Sequence, residues 1–94
     1  MLQINEPLLP RNKANKIMKI IINTHEIEKD EMTITYQEVC FLALGDGYNG
    51  NNVYTVAWFR PNNKDRKESG SLVKNEEVLL DDGMIFNVAL TNNG

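Results

Sequence analysis

Only one stretch of this chain has the pattern of a helix, and this restricts the folds that the chain can adopt. In "TYQEVCFLAL", Thr35 is suited to cap the first turn, Glu38 follows three residues later as in a capping box, and Gly45 can end the helix. At about 1.5 Å per residue the helix is only about 15 Å long, so it must pack across a sheet to be stable. Its buried stripe is predicted to be Tyr36, Val39, Cys40 and Ala43.

The strongest strand patterns lie at the beginning and end of the folded part. "IMKIIIN" (17–23) and "MIFNVALT" (84–91) are rich in residues that favour strands, and alternate positions give each segment a wholly apolar face. "EIEKDEMTI" follows the first strand across an Asn-Thr turn and is predicted to form a hairpin with it. Further strands are predicted at "VYTVAWF", at "SLV" and at 78–80.

This order of elements predicts an α+β domain with a mixed sheet of four to five strands and one helix packed across it. The first and last strands have the most apolar faces, so we expect them side by side at the centre of the sheet, covered by the helix. That arrangement is the β-grasp fold. The core between helix and sheet is predicted to contain Met18, Ile20, Ile22, Val39, Phe86 and Val88.

The chain divides into an N-terminal arm at 1–16, a folded domain at 17–91 and a C-terminal tail at 92–94. The prolines at positions 7 and 10 disfavour helix and strand in the arm, yet the arm has an apolar side. We expect this arm either to be flexible or to dock on the outer face of a sheet, its own or a neighbour's, which would allow self-association. Its docking residues are predicted to be Leu2, Ile4, Leu8 and Leu9.

Charge and hydropathy exclude several classes of protein. The net charge is −3 and the pI is near 5.0, which argues against a nucleic-acid-binding surface. No apolar run approaches the roughly 20 residues that cross a bilayer. The beginning of the chain lacks the pattern of a signal peptide. We therefore expect a cytoplasmic protein with neither a nucleic-acid nor a membrane partner.

Residues that could carry catalysis or bind a metal are scarce. One His and one Cys cannot make a four-ligand zinc site by themselves, and no ligand spacing is present, so we expect no metal and no cofactor. Cys40 lies on the apolar stripe of the helix, where a thiol packs as a small hydrophobic group, and His25 lies in a hairpin turn. We therefore predict that the chain is not an enzyme.

Strand alternation also predicts an apolar face on the side of the sheet away from the helix. The third strand is apolar on both sides; we assign Tyr54, Val56 and Trp58 inward, and Val53 with its alternate neighbours outward. An exposed apolar patch commonly marks an interaction site. The predicted partner-binding residues are Ile17, Ile21, Thr55, Ala57, Phe59, Ile85 and Ala89.

The chain resembles the ubiquitin-like domains of bacterial ubiquitination operons, including the multiubiquitin type. The resemblance covers about residues 19–88, and its most specific pieces are "ITYQEV" and "DGMIFNV". It implies a β-grasp fold and a function as a protein tag in a pathway associated with defence against phage. It also implies three enzyme partners: a ThiF-like activating enzyme, a conjugating-type enzyme, and a JAB-type metallopeptidase that trims or removes the tag. The segments that carry the resemblance are "KIIINTHEIE", "ITYQEV", "VYTVAW", "GSLV" and "LDDGMIFNV".

The resemblance places the reactive group at the end of the sequence, "TNNG". The Gly94 carboxylate would be adenylated and conjugated to target proteins, and a residue without Cβ lets the backbone approach a partner closely. The chain has one such domain rather than a tandem array, and one terminal glycine where ubiquitin has two. Two alternatives remain: a sulfur carrier with a thiocarboxylate on Gly94, and a structural module that self-assembles while Gly94 is inert.

Overall fold

The structure is a computed structural model. The part of the chain that it describes contains seven short strands and one α-helix. This part comprises residues 13–62 and 65–92. The strands are β1 Lys13–Ile22, β2 His25–Glu31, β3 Thr33–Thr35, β4 Val53–Phe59, β5 Ser69–Leu72, β6 Glu77–Leu79 and β7 Ile85–Asn92. The helix, α1, is Tyr36–Leu44, and a 3-10 helix follows it at Gly45–Gly47.

Five strands form one mixed sheet in the order β2-β1-β7-β4-β5, and β3 pairs with β6 outside it. β1 and β2 form the predicted antiparallel hairpin, while β1 and β7 run parallel at the centre, with Ile21 opposite Ile85 and Ile22 opposite Phe86. β4 is antiparallel to both β7 and β5. The prediction that the first and last strands lie side by side is confirmed, and the architecture is the predicted α+β, β-grasp arrangement.

The start of α1 is fixed by the capping residue that the sequence indicates. Thr35 Oγ1 accepts a hydrogen bond from Glu38 N at 3.1 Å. Ile34 and Val39, which flank the first turn, are both fully buried and form a hydrophobic staple. The Glu38 side chain has a different partner from that of a capping box: its carboxylate lies 2.6 Å from Lys29 Nζ and so links α1 to β2.

The core lies between α1 and the inner face of the sheet. Ile20, Val39 and Phe86 have no exposed area. The Tyr36 hydroxyl satisfies a buried part of β4, because it accepts from Tyr54 N at 2.8 Å and donates to Tyr54 O at 3.3 Å. The predicted strand phase is confirmed, since a slip of one residue would have exchanged the two faces. All six predicted core residues are buried: Met18, Ile20, Ile22, Val39, Phe86 and Val88.

The two largest differences from the predicted strands are at the start of β1 and after the first hairpin. β1 begins at Lys13 rather than Ile17, so the last residues of the predicted arm belong to the sheet. The strand predicted after the first hairpin turn is broken at Met32, whose carbonyl accepts a hydrogen bond from Leu80 N at 2.8 Å. Beyond this break β3 pairs with β6 rather than with β1. Ile27 and Ile34 both face the core although they are seven positions apart, so the apolar alternation changes phase between them, which was a local signal of the break.

Candidate functional site

The pattern of side-chain burial along β4 distinguishes the two faces of the main sheet. Its residues alternate strictly between exposed and buried, which matches the inward and outward assignment made from the sequence. We call the side away from α1 the outer face. The buried residues are Tyr54, Val56 and Trp58, and the exposed ones are Val53, Thr55, Ala57 and Phe59.

Three apolar residues of the outer face form a continuous row across β4, β7 and β1. Phe59 lies opposite Ile85, and Ile85 lies opposite Ile21. Phe59 is 44% exposed, whereas the two isoleucines, with neighbours on both sides, are half-buried. This row is the apolar centre of the outer face.

The other predicted partner-binding residues adjoin this row with one exception. Thr55 lies opposite Ala89, and both are exposed, as is Ala57 next along β4. Ile17 is 61% exposed, but it lies in the first half of β1, where the register with β2 shifts and no pairing with β7 occurs. Strand pairing therefore brings the predicted set together except for Ile17, which stands to one side.

Polar residues border the apolar row at both ends. β2 contributes the carboxylates of Glu26 and Glu28, with Glu26 directly opposite Ile21. β5 contributes Ser69, which lies opposite Phe59. These borders were missed by the sequence analysis because they depend on the order of the strands.

β7 leads from the centre of the sheet towards Gly94. It ends at Asn92, one residue beyond the predicted Thr91, and Asn92 lies opposite Val53 of β4. Gly94, the predicted conjugation residue, is two positions after Asn92 and lies outside the described residues. The predicted docking residues of the arm also lie outside them: Leu2, Ile4, Leu8 and Leu9.

The multiubiquitin family profile matches residues 18–92 of the chain. This range contains nearly all of the main sheet together with α1. The chain belongs to the multiubiquitin family. It is therefore a ubiquitin-like module, and its mixed sheet with one helix packed across it is the ubiquitin-like β-grasp fold. No curated protein matches the chain, and no solved structure matches it.

The two groups considered for catalysis lie apart in this multiubiquitin-family domain. Cys40 is fully buried in α1; burial raises the pKa of its thiol, and a hydrogen bond with Tyr36 opposes that shift. His25 is exposed at the start of β2, with Nδ1 3.2 Å from Asn23 O. Among the described residues, no cluster of three or more His, Cys, Asp or Glu could hold a metal ion. No helix in the same part of the chain is long and apolar enough to span a membrane.

Arg60 is a buried cation directly after β4. It is 5% exposed, and its Nη1 and Nη2 donate to the carbonyls of Lys67 at 2.7 Å and Leu79 at 2.9 Å. Its Nε lies 3.0 Å from Asp81 Oδ2, an ion pair without the alignment of a hydrogen bond. Burial lowers the pKa of Arg60, and the Asp81 carboxylate opposes that shift. The period-two pattern of β4 could have identified Arg60 as buried, because Arg60 is two positions after the inward-facing Trp58.

Proposed function

We propose that this domain is a protein modifier whose Gly94 acyl group is joined to target proteins in a bacterial ubiquitination-like pathway that acts against phage. The observation that carries the proposal is the multiubiquitin match over residues 18–92, which ends two positions before Gly94. The position of β7 supports it, because a strand held at the centre of the sheet connects the tail directly to the core.

Activation of Gly94 requires no side chain of this domain; the reacting groups are the terminal carboxylate and ATP. A carboxylate oxygen attacks the α-phosphorus of ATP on a ThiF-like activating enzyme; an acyl adenylate forms and pyrophosphate leaves. A nucleophile of the conjugating-type enzyme or of the target then attacks the acyl carbon, and AMP leaves. A JAB-type metallopeptidase reverses the linkage with water. A residue without Cβ suits each of these narrow sites.

The outer face is proposed as the surface that these enzymes or the readers of the tag contact. The row formed by Phe59, Ile85 and Ile21 supplies an apolar centre, and the exposure of Phe59 leaves part of it accessible. Large aromatic residues commonly carry much of the binding energy of an interface. Phe59→Ser is expected to weaken enzyme binding without loss of the fold, because the side chain lies outside the core.

ATP–pyrophosphate exchange by a ThiF-like enzyme tests the activation step. The wild-type chain is expected to support exchange. A chain with Gly94→Val, or with a bulky residue added after Gly94, is expected to support none while its melting curve stays unchanged. Normal exchange by the Gly94→Val chain would show that the glycine is not required. Absence of exchange with the wild type would favour the structural-module alternative, because a sulfur carrier is also adenylated.

The sulfur-carrier alternative uses the same residue with a different product. There hydrosulfide attacks the acyl carbon of the adenylate, AMP leaves, and Gly94 ends in a thiocarboxylate. The intact mass of the protein distinguishes a sulfur carrier from a modifier. In a sulfur carrier, replacement of oxygen by sulfur changes the mass of the free protein. A modifier is recovered either with an ordinary carboxylate or joined to another protein.

The structural-module alternative depends on the arm. Because β1 begins at Lys13, a chain that lacks residues 1–12 keeps every described element. If the arm docks on the outer face of a neighbour, the full chain sediments as an assembly and the shortened chain as a monomer. Head-to-tail contacts of that kind can propagate unless they close into a ring. Identical sedimentation of the two chains would exclude this alternative.

A further inference from the structure

The side chain of Asn23 takes the place of a strand residue next to β7. The backbone ladder between β1 and β7 includes Ile21 N to Met84 O at 2.9 Å and Asn23 N to Phe86 O at 3.0 Å. After this point the chain turns into the hairpin, with Asn23 at a φ of 49°. Its side-chain amide continues the ladder: Oδ1 accepts from Val88 N at 2.8 Å, and Nδ2 donates to Val88 O at 3.1 Å. β7 is therefore held on the β1 side as far as Val88.

Beyond Val88, β7 is held by β4 alone among the described strands. Its pairing with β1 has ended, and its register with β4 shifts between Val53 and Tyr54, so that β7 has one extra residue there. The side chains of Ala89, Leu90 and Thr91 are exposed, and Leu90 is 54% exposed although it lies on the inner side of the strand. Val88 itself is 8% exposed and packs in the core. The change from a firmly held strand to a weakly held one thus occurs at Val88.

We infer that Asn23 is a positioning residue for the Gly94 acyl group: it fixes Val88 while residues 89–92 detach from β4 to lengthen the tail. This inference rests on the proposed function. Two residues after Asn92 span about 7 Å, whereas six residues after Val88 span about 20 Å at roughly 3.3 Å per residue. The longer reach lets a partner bind the acyl group at a distance from the sheet. The core stays closed, because Val88 and Phe86 do not move.

Amide hydrogen exchange of the full chain, followed by NMR, tests the detachment without any enzyme. Val88 N–H faces β1, so strand alternation directs the amides of Asn87 and Ala89 towards β4, where both residues are in regular register. These two amides are a matched pair on either side of Val88. Ala89 is expected to exchange about tenfold faster than Asn87, or more, because residues 89–92 open locally. Equal protection of Ala89 and Asn87 would overturn the inference.

Two neighbouring glycine variants test the role assigned to Asn23. Asn23→Gly removes the side-chain amide but still accepts the positive φ of the turn. Thr24→Gly changes the other turn residue, at a φ of 73°, and leaves the amide in place. We expect Val88 to lose its protection in the Asn23→Gly chain and to keep it in the Thr24→Gly chain. Unchanged protection of Val88 in the Asn23→Gly chain would refute the role of Asn23.

A reversible disulfide that holds the end of β7 on β4 tests whether acyl transfer requires the detachment. Thr55 Oγ1 and Thr91 Oγ1 are in contact, so cysteines at both positions can close a disulfide between β4 and the end of β7. Conjugation by this double variant is compared between its oxidised and its reduced form. Conjugation by the reduced form alone supports the inference, and equal conjugation by both contradicts it. A wild-type chain that forms no conjugates counts against the modifier proposal instead, while the exchange rates still decide the detachment.

Discussion

At the scale of single residues, the Trp58 ring packs closely against Gly70 on the inner face. A Cβ on Gly70 would lie 2.6 Å from Trp58 Cζ2, closer than atoms in contact can approach. The Arg60 guanidinium lies over the same ring, 4.5 Å from its centroid. Cation–π contacts of this kind stabilise more when they are shielded from water. The indole therefore connects β5 to the cation that holds the loop after β4.

Gly70→Ala is expected to destabilise the fold by about 1–3 kcal/mol, because the added methyl group displaces the Trp58 ring. The measurement is urea unfolding followed by Trp fluorescence. Gly47→Ala is the matched control, since a Cβ at Gly47 meets nothing within 4 Å. An equal loss of stability in both variants would show that the position next to Trp58 is not special.

Arg60→Ala is expected to cost about 3–5 kcal/mol, because it leaves the Asp81 carboxylate without its buried partner and two carbonyls without donors. Arg66 provides the comparison. It also contacts Asp81, at 3.3 Å, but its side chain is 41% exposed. Arg66→Ala should cost less than about 1 kcal/mol, as exposed ion pairs usually do. Equal urea midpoints for the two variants would contradict the claim that burial makes the Arg60 contacts more stabilising than those of Arg66.

At the scale of elements, the β1–β2 hairpin turn carries conformational strain. Both its residues, Asn23 and Thr24, have positive φ values, of 49° and 73°. Asn tolerates that region, whereas a β-branched residue there is an outlier. Turns of this kind favour Asn followed by Gly.

Thr24→Gly is expected to stabilise the domain by about 1 kcal/mol, because it removes this strain. Asn23→Gly, although it also suits the turn, is expected to destabilise the domain, because the hydrogen bonds to Val88 are lost. Thermal melts check this prediction: the melting temperature should rise in the Thr24→Gly chain and fall in the Asn23→Gly chain. A lower melting temperature for Thr24→Gly would contradict the account of the turn.

The elements were predictable from the sequence where the signal was local. The capping residue Thr35, the period-two pattern of β4 and the isoleucine face of β1 each depend on neighbours within a few residues. The pairing of β3 with β6 was not predictable, because Ile34 lies opposite Val78 and neither residue has a local signal of the other. The borders of the outer face and the Asn23–Val88 contact were missed for the same reason.

At the scale of the whole molecule, the stability of the domain should fall as the pH rises into the alkaline range. Burial raises the pKa of Cys40 and of Tyr36. Burial alone would lower the pKa of Lys29, but the carboxylates of Glu31 and Glu38 raise it overall. In each case the folded state keeps a proton that the unfolded state loses at a lower pH, so stability falls as pH rises. The stabilisation is complete below the unfolded pKa values, which start at about 8.5 for a thiol.

The melting temperature is therefore expected to be level from about pH 6 to 8 and to fall above about pH 9. The free energy of unfolding then falls by up to about 1.4 kcal/mol per pH unit for each group that has begun to titrate. Circular dichroism in the presence of a reductant measures the melting temperature. Cys40→Ala should show a shallower fall between about pH 8.5 and 10, because one of the three groups is absent. A melting temperature that is constant or rises between about pH 8 and 10.5 would contradict this account.

The central claim, that Gly94 is the point of attachment to other proteins, has a direct measurement. The full chain with an N-terminal affinity tag is expressed in cells that contain its enzymes, purified under denaturing conditions and digested with trypsin. Lys74 is the last Lys or Arg in the sequence, so a conjugated target keeps a branch of residues 75–94. The account predicts target peptides that carry this branch through the Gly94 acyl carbon, and none from the Gly94→Val chain. Recovery of the wild-type chain without any such branch, or of equal branches from the Gly94→Val chain, would contradict it.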